Sequence, residues 1–202
     1  MTSDELRRQF GDIDIYLFDQ LLRGRFDARS RVLDAGCGGG RNLPYFLAHG
    51  FDVYAVDVDA AAAAAVARLF ARLAPHLPED HVRRSDLDAL PWPDGAMDAV
   101  IASAVLHFAR DIVHFRGMVS EMWRVLAHGG LLFARLATSI TIESRISSAV
   151  GRVLLPDGSE RFIVDESALL QITEQLGGRL LDPLKTTNVQ SLRAMTTWVL
   201  EK

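Results

Sequence analysis

Thiol chemistry is nearly absent from this chain of 202 residues. A single cysteine, Cys37, excludes an intrachain disulfide and any cysteine-clustered metal site. No apolar stretch approaches the roughly 20 residues that span a bilayer. Excess positive charge is lacking too: the net charge is −4, which argues against general binding to nucleic acid or an anionic membrane. Four of the six histidines (His49, His76, His81 and His128) sit at expected helix ends or turns and show no metal-ligand spacing. There is no G-x-x-x-x-G-K-S/T loop for a nucleoside triphosphate. A second mononucleotide-binding half, which a nicotinamide-dependent oxidoreductase needs, is missing as well. The first residues (Met1-Thr2-Ser3-Asp4-Glu5) are polar and partly acidic, unlike a secretory signal, so the expected compartment is the cytoplasm.

What is present is an ordinary globular composition, 49% hydrophobic and 24% charged, and a length that suits one domain over residues 1–202. Apolar periodicity alternates between short runs and helical spacing. Strands are expected over 31–35, 51–56, 81–85, 97–103 and 131–136. Between them, Asn42 with Pro44 opens a helix closed by Gly50, Asp59 caps a long one stopped by Pro75 and Pro78, and Asp111 caps a third that ends at His128-Gly129-Gly130. Strands separated by helices predict a doubly wound, mostly parallel α/β sheet. In the tail, 139–161 lacks a strong period and suggests a partly ordered insertion, 165–176 a capped helix, and 179–187 with 191–200 an antiparallel pair.

The strongest motif is Val32-Leu33-Asp34-Ala35-Gly36-Cys37-Gly38-Gly39-Gly40. Its glycines lie between a strand and a helix, where the absence of side chains lets a ligand approach the backbone. Asp57 stands at the next strand end, 21 residues beyond Gly36, the distance at which a carboxylate reaches ribose hydroxyls. The spacing is G-x-G-x-G rather than G-x-G-x-x-G. The acid at Asp34 disfavours a pyrophosphate and suits a cofactor that carries ammonium and sulfonium groups.

These residues resemble the class I S-adenosylmethionine-dependent methyltransferases, and the likeness extends over 31–136. Tyr54-Ala55-Val56-Asp57 is similar to the family's second strand, and Ser85-Asp86-Leu87 before Leu90-Pro91-Trp92-Pro93 to its third motif. Asp98 to Ser103 resembles the fourth strand. The stretch 121–133, with Arg124-Val125-Leu126 and Gly129-Gly130, resembles the fifth motif. The resemblance implies a seven-stranded sheet with an antiparallel last strand, and S-adenosyl-L-methionine as the cofactor. It further implies that Asp34 and the backbone of Gly36, Cys37 and Gly38 hold the cofactor's amino-acid end, with Asn42 beside them. Asp57 would take the ribose hydroxyls, Val58 would pack on adenine, and Asp86 with the Leu87 amide would read its amine. Ala102 and Ser103 would line the path to the acceptor.

Strand four lacks the Asn/Asp-Pro-Pro-aromatic signature of enzymes that methylate exocyclic amines, which points to a small-molecule acceptor and no nucleic acid or membrane partner. His107, just past strand four, is the candidate general base, and no metal is expected. An N-terminal cap helix within 1–26, carrying Tyr16 and Phe18, is expected over the cofactor, and 139–161 is expected to form a substrate lid. The chain would work as a monomer or homodimer. The alternative is a non-catalytic module that binds S-adenosylmethionine as a sensor or partner subunit.

Overall fold

A computed structural model describes residues 2–202. Five strands follow the expected order: β1 (Arg31–Ala35), β2 (Asp52–Asp57), β3 (Val82–Arg84), β4 (Met97–Ser103) and β5 (Leu126–Thr138). They pair in parallel, and β10 (Arg193–Glu201) closes the sheet antiparallel to β5, with Thr196 opposite Leu136. The spatial order is β3-β2-β1-β4-β5-β10, so the chain reverses direction of growth beside β1 and β4. Ligands of such sheets sit outside the carboxyl ends of the strands at that point.

Beyond β10 the expected single strand over 179–187 is two pieces, β8 (Arg179–Leu180) and β9 (Lys185–Val189), both paired with β10. Pro183 lies between them and has no N–H to offer a ladder, so pairing stops there. Eight strands therefore fill seven positions.

Helices cover both faces. On one side α2 (Ile15–Leu22), α3 (Pro44–Ala48) and α4 (Ala60–Leu73) enclose Leu17, Phe26, Phe46, Val66 and Phe133. On the other, α5 (Ile112–Val125) and α6 (Glu166–Gln175) enclose Phe115, Met122, Leu169 and Trp198. Side chains such as Phe46 and Phe133 are fully buried, each worth about 1.5–3 kcal/mol of transfer free energy. The caps are local and legible: Asp59 accepts from the Ala61 amide (2.8 Å) and Asp111 from the His114 amide (2.8 Å).

Three further elements depart from expectation. The single N-terminal cap helix is two helices, α1 (Ser3–Phe10) and α2, because Gly11 breaks the chain at φ +64° and Asp14 starts the second helix. The helix after the glycine loop, α3, does begin at Pro44 and end before Gly50 as expected, while Gly36, Gly38 and Gly40 all hold positive φ and keep the chain irregular up to Leu43. The helix before β5 ends at Val125, not at the glycine pair; Leu126 already pairs with Met97, and the register then shifts so that Ala99 meets Leu131. Finally, 139–161 is ordered around a hairpin, β6 (Gly151–Leu154) against β7 (Glu160–Ile163), turning through Pro156-Asp157-Gly158. No helix among the described residues is long and apolar enough to cross a membrane.

Candidate functional site

A cavity of about 560 Å³ opens at the carboxyl ends of β1, β2 and β4. Nine of the eleven residues expected to bind a cofactor line it: Gly36, Cys37, Gly38, Asn42, Asp57, Val58, Asp86, Leu87 and Ser103. Asp34 and Ala102 are buried behind the wall, not in it. The volume lies within the usual range for small-molecule pockets, about 300–1,000 Å³.

The glycine loop is shaped by close packing as well as by openness. A Cβ on Gly36 would stand 2.2 Å from Val105 Cγ2, at φ +76°, so no other residue fits. Gly38 and Gly39 face free space; nothing lies within 4 Å of where their Cβ atoms would be. Their backbone is therefore bare toward the cavity. Asp57 pins this loop to strand β2: its Oδ2 accepts the Gly38 amide (2.8 Å) and its Oδ1 the Asp59 amide (2.9 Å). Each carboxylate oxygen retains acceptor capacity for a ligand hydroxyl.

Asp34 carries the sharpest electrostatic signal. Its side chain is buried and Oδ2 has no partner among the described residues. Burial pushes its pKa up to about 7, against the pull of Arg41 and with a push from Asp57. Such a group rewards a cation. Burial also raises the Cys37 thiol far above its ordinary value, so this cysteine packs and does not react.

At the far end, Asp86 Oδ1 accepts the Leu87 amide (2.8 Å). Burial pulls the Asp86 pKa upward, but the Leu87 amide, His114 and Arg110 together hold it below the ordinary carboxylate range. His114 accepts the Arg110 amide at Nδ1 (3.1 Å), which places its ring proton on Nε2, 3.4 Å from Asp86 Oδ1. Asp88 completes a group that could reach one ion with Asp86 and His114, but Arg110 bridges both acids at 3.5–3.6 Å.

The candidate base is displaced. Leu106–Phe108 forms a 3₁₀ turn, in which successive side chains diverge by about 120°. Phe108 therefore faces the cavity, while His107 is buried and is not part of the wall. Its Nδ1 accepts the Ala137 amide at 3.3 Å, and its pKa falls to about 4 through burial and the nearby Arg161 and Arg135. The structure thus places His107, the candidate base, outside the cavity wall. The segment 139–161 contributes no lining residue either; it touches the wall indirectly, where the Arg161 guanidinium lies 5.0 Å from the Phe108 ring centre.

Sequence reasoning missed other wall residues, among them Arg41, Ala104, Val105, Arg110 and Met118. Arg41 had a signal, since it directly follows the glycine motif. Ala104 had none: it adopts φ +62°, a costly conformation for a residue with a Cβ, held by its amide donating to the Arg135 carbonyl (2.7 Å). Helix α2 is tied to the cavity by Asp14, whose buried carboxylate receives Ser103 (3.2 Å), Arg41 (3.3 Å) and Arg135 (3.3 Å).

A family model described as a methyltransferase domain matches residues 33–134. The chain is 32% identical over 143 residues to malonyl-(acyl-carrier protein) O-methyltransferase from Enterobacter lignolyticus (strain SCF1), covering 70% of this chain and 51% of that protein. It thus spans about half the length of the curated relative it matches. Among solved structures it resembles an S-adenosylmethionine-dependent methyltransferase from Clostridium acetobutylicum ATCC 824, with a TM-score of 0.71 at 14% identity over 98% of this chain and 96% of the other. It also resembles 1,6-didemethyltoxoflavin-N1-methyltransferase from Burkholderia thailandensis, solved with bound 1,6-didemethyltoxoflavin and S-adenosylhomocysteine, with a TM-score of 0.68 at 17% identity over 90% and 75% of the two chains. At these identities the likeness to solved structures concerns the fold.

Proposed function

The chain belongs to the family of S-adenosylmethionine-dependent methyltransferase domains, and from that premise we propose that it transfers a methyl group to a small-molecule acceptor in the cytoplasm. The observation that carries the reading is one cavity lined at once by the bare Gly36–Gly38 backbone, Asp57, and the Asp86-Leu87 pair. S-adenosylmethionine fits that set by its chemistry and supplies an electrophilic methyl on a sulfonium. The orphaned Asp34 oxygen behind the loop suits an ammonium, which no pyrophosphate cofactor carries.

In this reading Asp34 and the Gly36, Cys37 and Gly38 backbone hold the amino-acid end, with Asn42 beside them. Asp57 accepts the ribose hydroxyls. Val58 packs on the adenine, and Asp86 accepts from its amine while the Leu87 amide assists. Ser103, Ala104 and Val105 flank the reacting end, with Ala102 supporting them from β4. Methyl transfer is an in-line displacement, so these residues contribute alignment, and Phe108 and Met118 contribute water exclusion. The hairpin of 139–161 acts as the lid through Phe108. No nucleic acid or membrane partner is invoked, and the chain works as a monomer or homodimer.

Calorimetry with S-adenosylhomocysteine and with NAD tests the reading. S-adenosylhomocysteine at 100 times its Kd should stabilise the fold by about 2.7 kcal/mol, and NAD should not bind. Equal stabilisation by NAD would refute it.

A further inference from the structure

Helix α5 starts with two anchors on one residue. Asp111 caps the helix and accepts the His114 amide at 2.8 Å, which makes His114 its third position. There a capping box has Glu or Gln, whose side chain reaches back toward the chain entering the helix. His114 reaches back as well, its Nδ1 accepting the Arg110 amide at 3.1 Å. Backbone and ring are both held, and the ring proton is left on Nε2. That N–H faces two carboxylates, Asp86 Oδ1 at 3.4 Å and Asp88 Oδ2 at 3.7 Å.

His114, Asp86 and Arg110 all line the cavity, but not equally. The His114 side chain is 9% exposed, that of Asp86 41% and that of Arg110 64%. Two donors meet on one oxygen of Asp86, since Oδ1 accepts the Leu87 amide (2.8 Å) and faces the His114 N–H. Oδ2 accepts no hydrogen bond among the described residues, and the Arg110 guanidinium lies 3.6 Å from it. Arg110 also reaches Asp88 at 3.5 Å, so it draws both acids toward solvent. His114 acts on the same carboxylate from the buried side. A carboxylate recognises an amine only while an oxygen lies along the N–H direction, because the bond weakens steeply off that line.

Resting on the methyltransferase reading above, in which Asp86 accepts the adenine amine, we infer that His114 is a positioning residue. Its Nε2–H holds Asp86 Oδ1 so that Oδ2 stays turned to the cavity, and it thereby sets the preference for a purine that bears an amine. Without that N–H, Asp86 keeps its charge and the Leu87 amide but swings to the guanidinium. Affinity for the amine then falls, while what Asp57 and the glycine loop contribute is unchanged.

Calorimetry on the full chain tests this with S-adenosylhomocysteine and its deamino analogue, whose purine carries hydrogen in place of the amine. Two isosteres separate the bonds that His114 makes. His114→Gln offers an N–H where Nε2 was, whereas His114→Asn keeps an acceptor for the Arg110 amide and is too short to reach Asp86. Wild type should prefer S-adenosylhomocysteine by about tenfold or more, the worth of one hydrogen bond to a charged acceptor. His114→Gln should keep most of that preference and His114→Asn should lose most of it, with the deamino analogue binding all three proteins to within about threefold. In an Asp86→Ala background, His114→Asn should cost nothing further, since the effect runs through Asp86. Full preference in His114→Asn, equal loss of both ligands there, or a further loss in the Asp86→Ala background assigns His114 to the fold alone and overturns the inference. A glutamine variant no better than the asparagine one overturns it too, as does a wild-type protein that binds both ligands equally. Failure of wild type to bind S-adenosylhomocysteine at all instead overturns the underlying reading.

Discussion

Replacing Asp57 by alanine separates two jobs that the structure assigns to one carboxylate. The first is toward the cofactor: hydrogen bonds to a charged acceptor are worth about 1.5–3 kcal/mol each, and two to the ribose are partly redundant. A loss of roughly 2–4 kcal/mol follows, about 30- to 1,000-fold in the Kd for S-adenosylhomocysteine. The second is internal. Asp57 holds the Gly38 and Asp59 amides at 2.8 and 2.9 Å, and alanine strands both. Since the loop reaches solvent, water recovers part of that loss, and about 1–2 kcal/mol of apo stability should go. For a chain of this size that is roughly 2–8 °C in Tm. Asp57→Asn keeps one oxygen for the Gly38 amide but no charge, so it should recover most of the Tm while binding remains at least tenfold weak. Calorimetric affinity of Asp57→Ala within threefold of wild type would refute the cofactor role and leave only a loop anchor.

Gly36→Ala should abolish S-adenosylhomocysteine binding and lower Tm, because its Cβ would meet Val105 at 2.2 Å; a normally stable, fully binding variant contradicts the loop geometry. Asp34, with a pKa raised to about 7, must lose its proton to face an ammonium, so affinity should tighten about tenfold per pH unit from pH 5.5 to 7 and level off above 8. Asp34→Asn should flatten that profile, and a flat wild-type profile rules the contact out. Asp98 is held at about 2 chiefly by its hydrogen bond with Arg31, so it contributes about 2 kcal/mol above the unfolded pKa near 4, lost as pH falls through 2. Asp98→Asn should remove that share at pH 7 and shallow the acid limb of the stability curve; an unchanged limb in chemical denaturation refutes it. If 139–161 is the lid, hydrogen exchange in β6 and β7 should slow with acceptor and S-adenosylhomocysteine together and far less with the latter alone; equal protection by both states removes the lid.

The elements that the sequence made legible are those whose causes are local. Strand β4 (Met97–Ser103) and the caps Asp59 and Asp111 stand where expected, because a run of apolar residues and an Asx side chain act on neighbouring backbone. The glycine loop was legible for the same reason. What escaped depends on partners far along the chain. Asp14 looks like an N-cap, and its Oδ1 does accept the Tyr16 amide at 2.9 Å. Its other oxygen meets residues 27, 89 and 121 positions away, which no window of sequence contains. The hairpin β6–β7 escaped because its strands are four residues each, too short for alternation to show.

His107 shows how much hangs on a single turn. Had the segment after β4 continued extended, side chains would alternate and His107 would share a face with Val105, which sits over Gly36. The 3₁₀ turn instead gives the cavity Phe108 and sends the imidazole beneath β5, to the Ala137 amide. The substitution of an aromatic wall for a base changes which acceptors the site can serve. A wall of Phe108 and Met118 excludes water but moves no proton. With His107 outside the wall, alignment and water exclusion, rather than proton transfer by that imidazole, are what the site offers an acceptor.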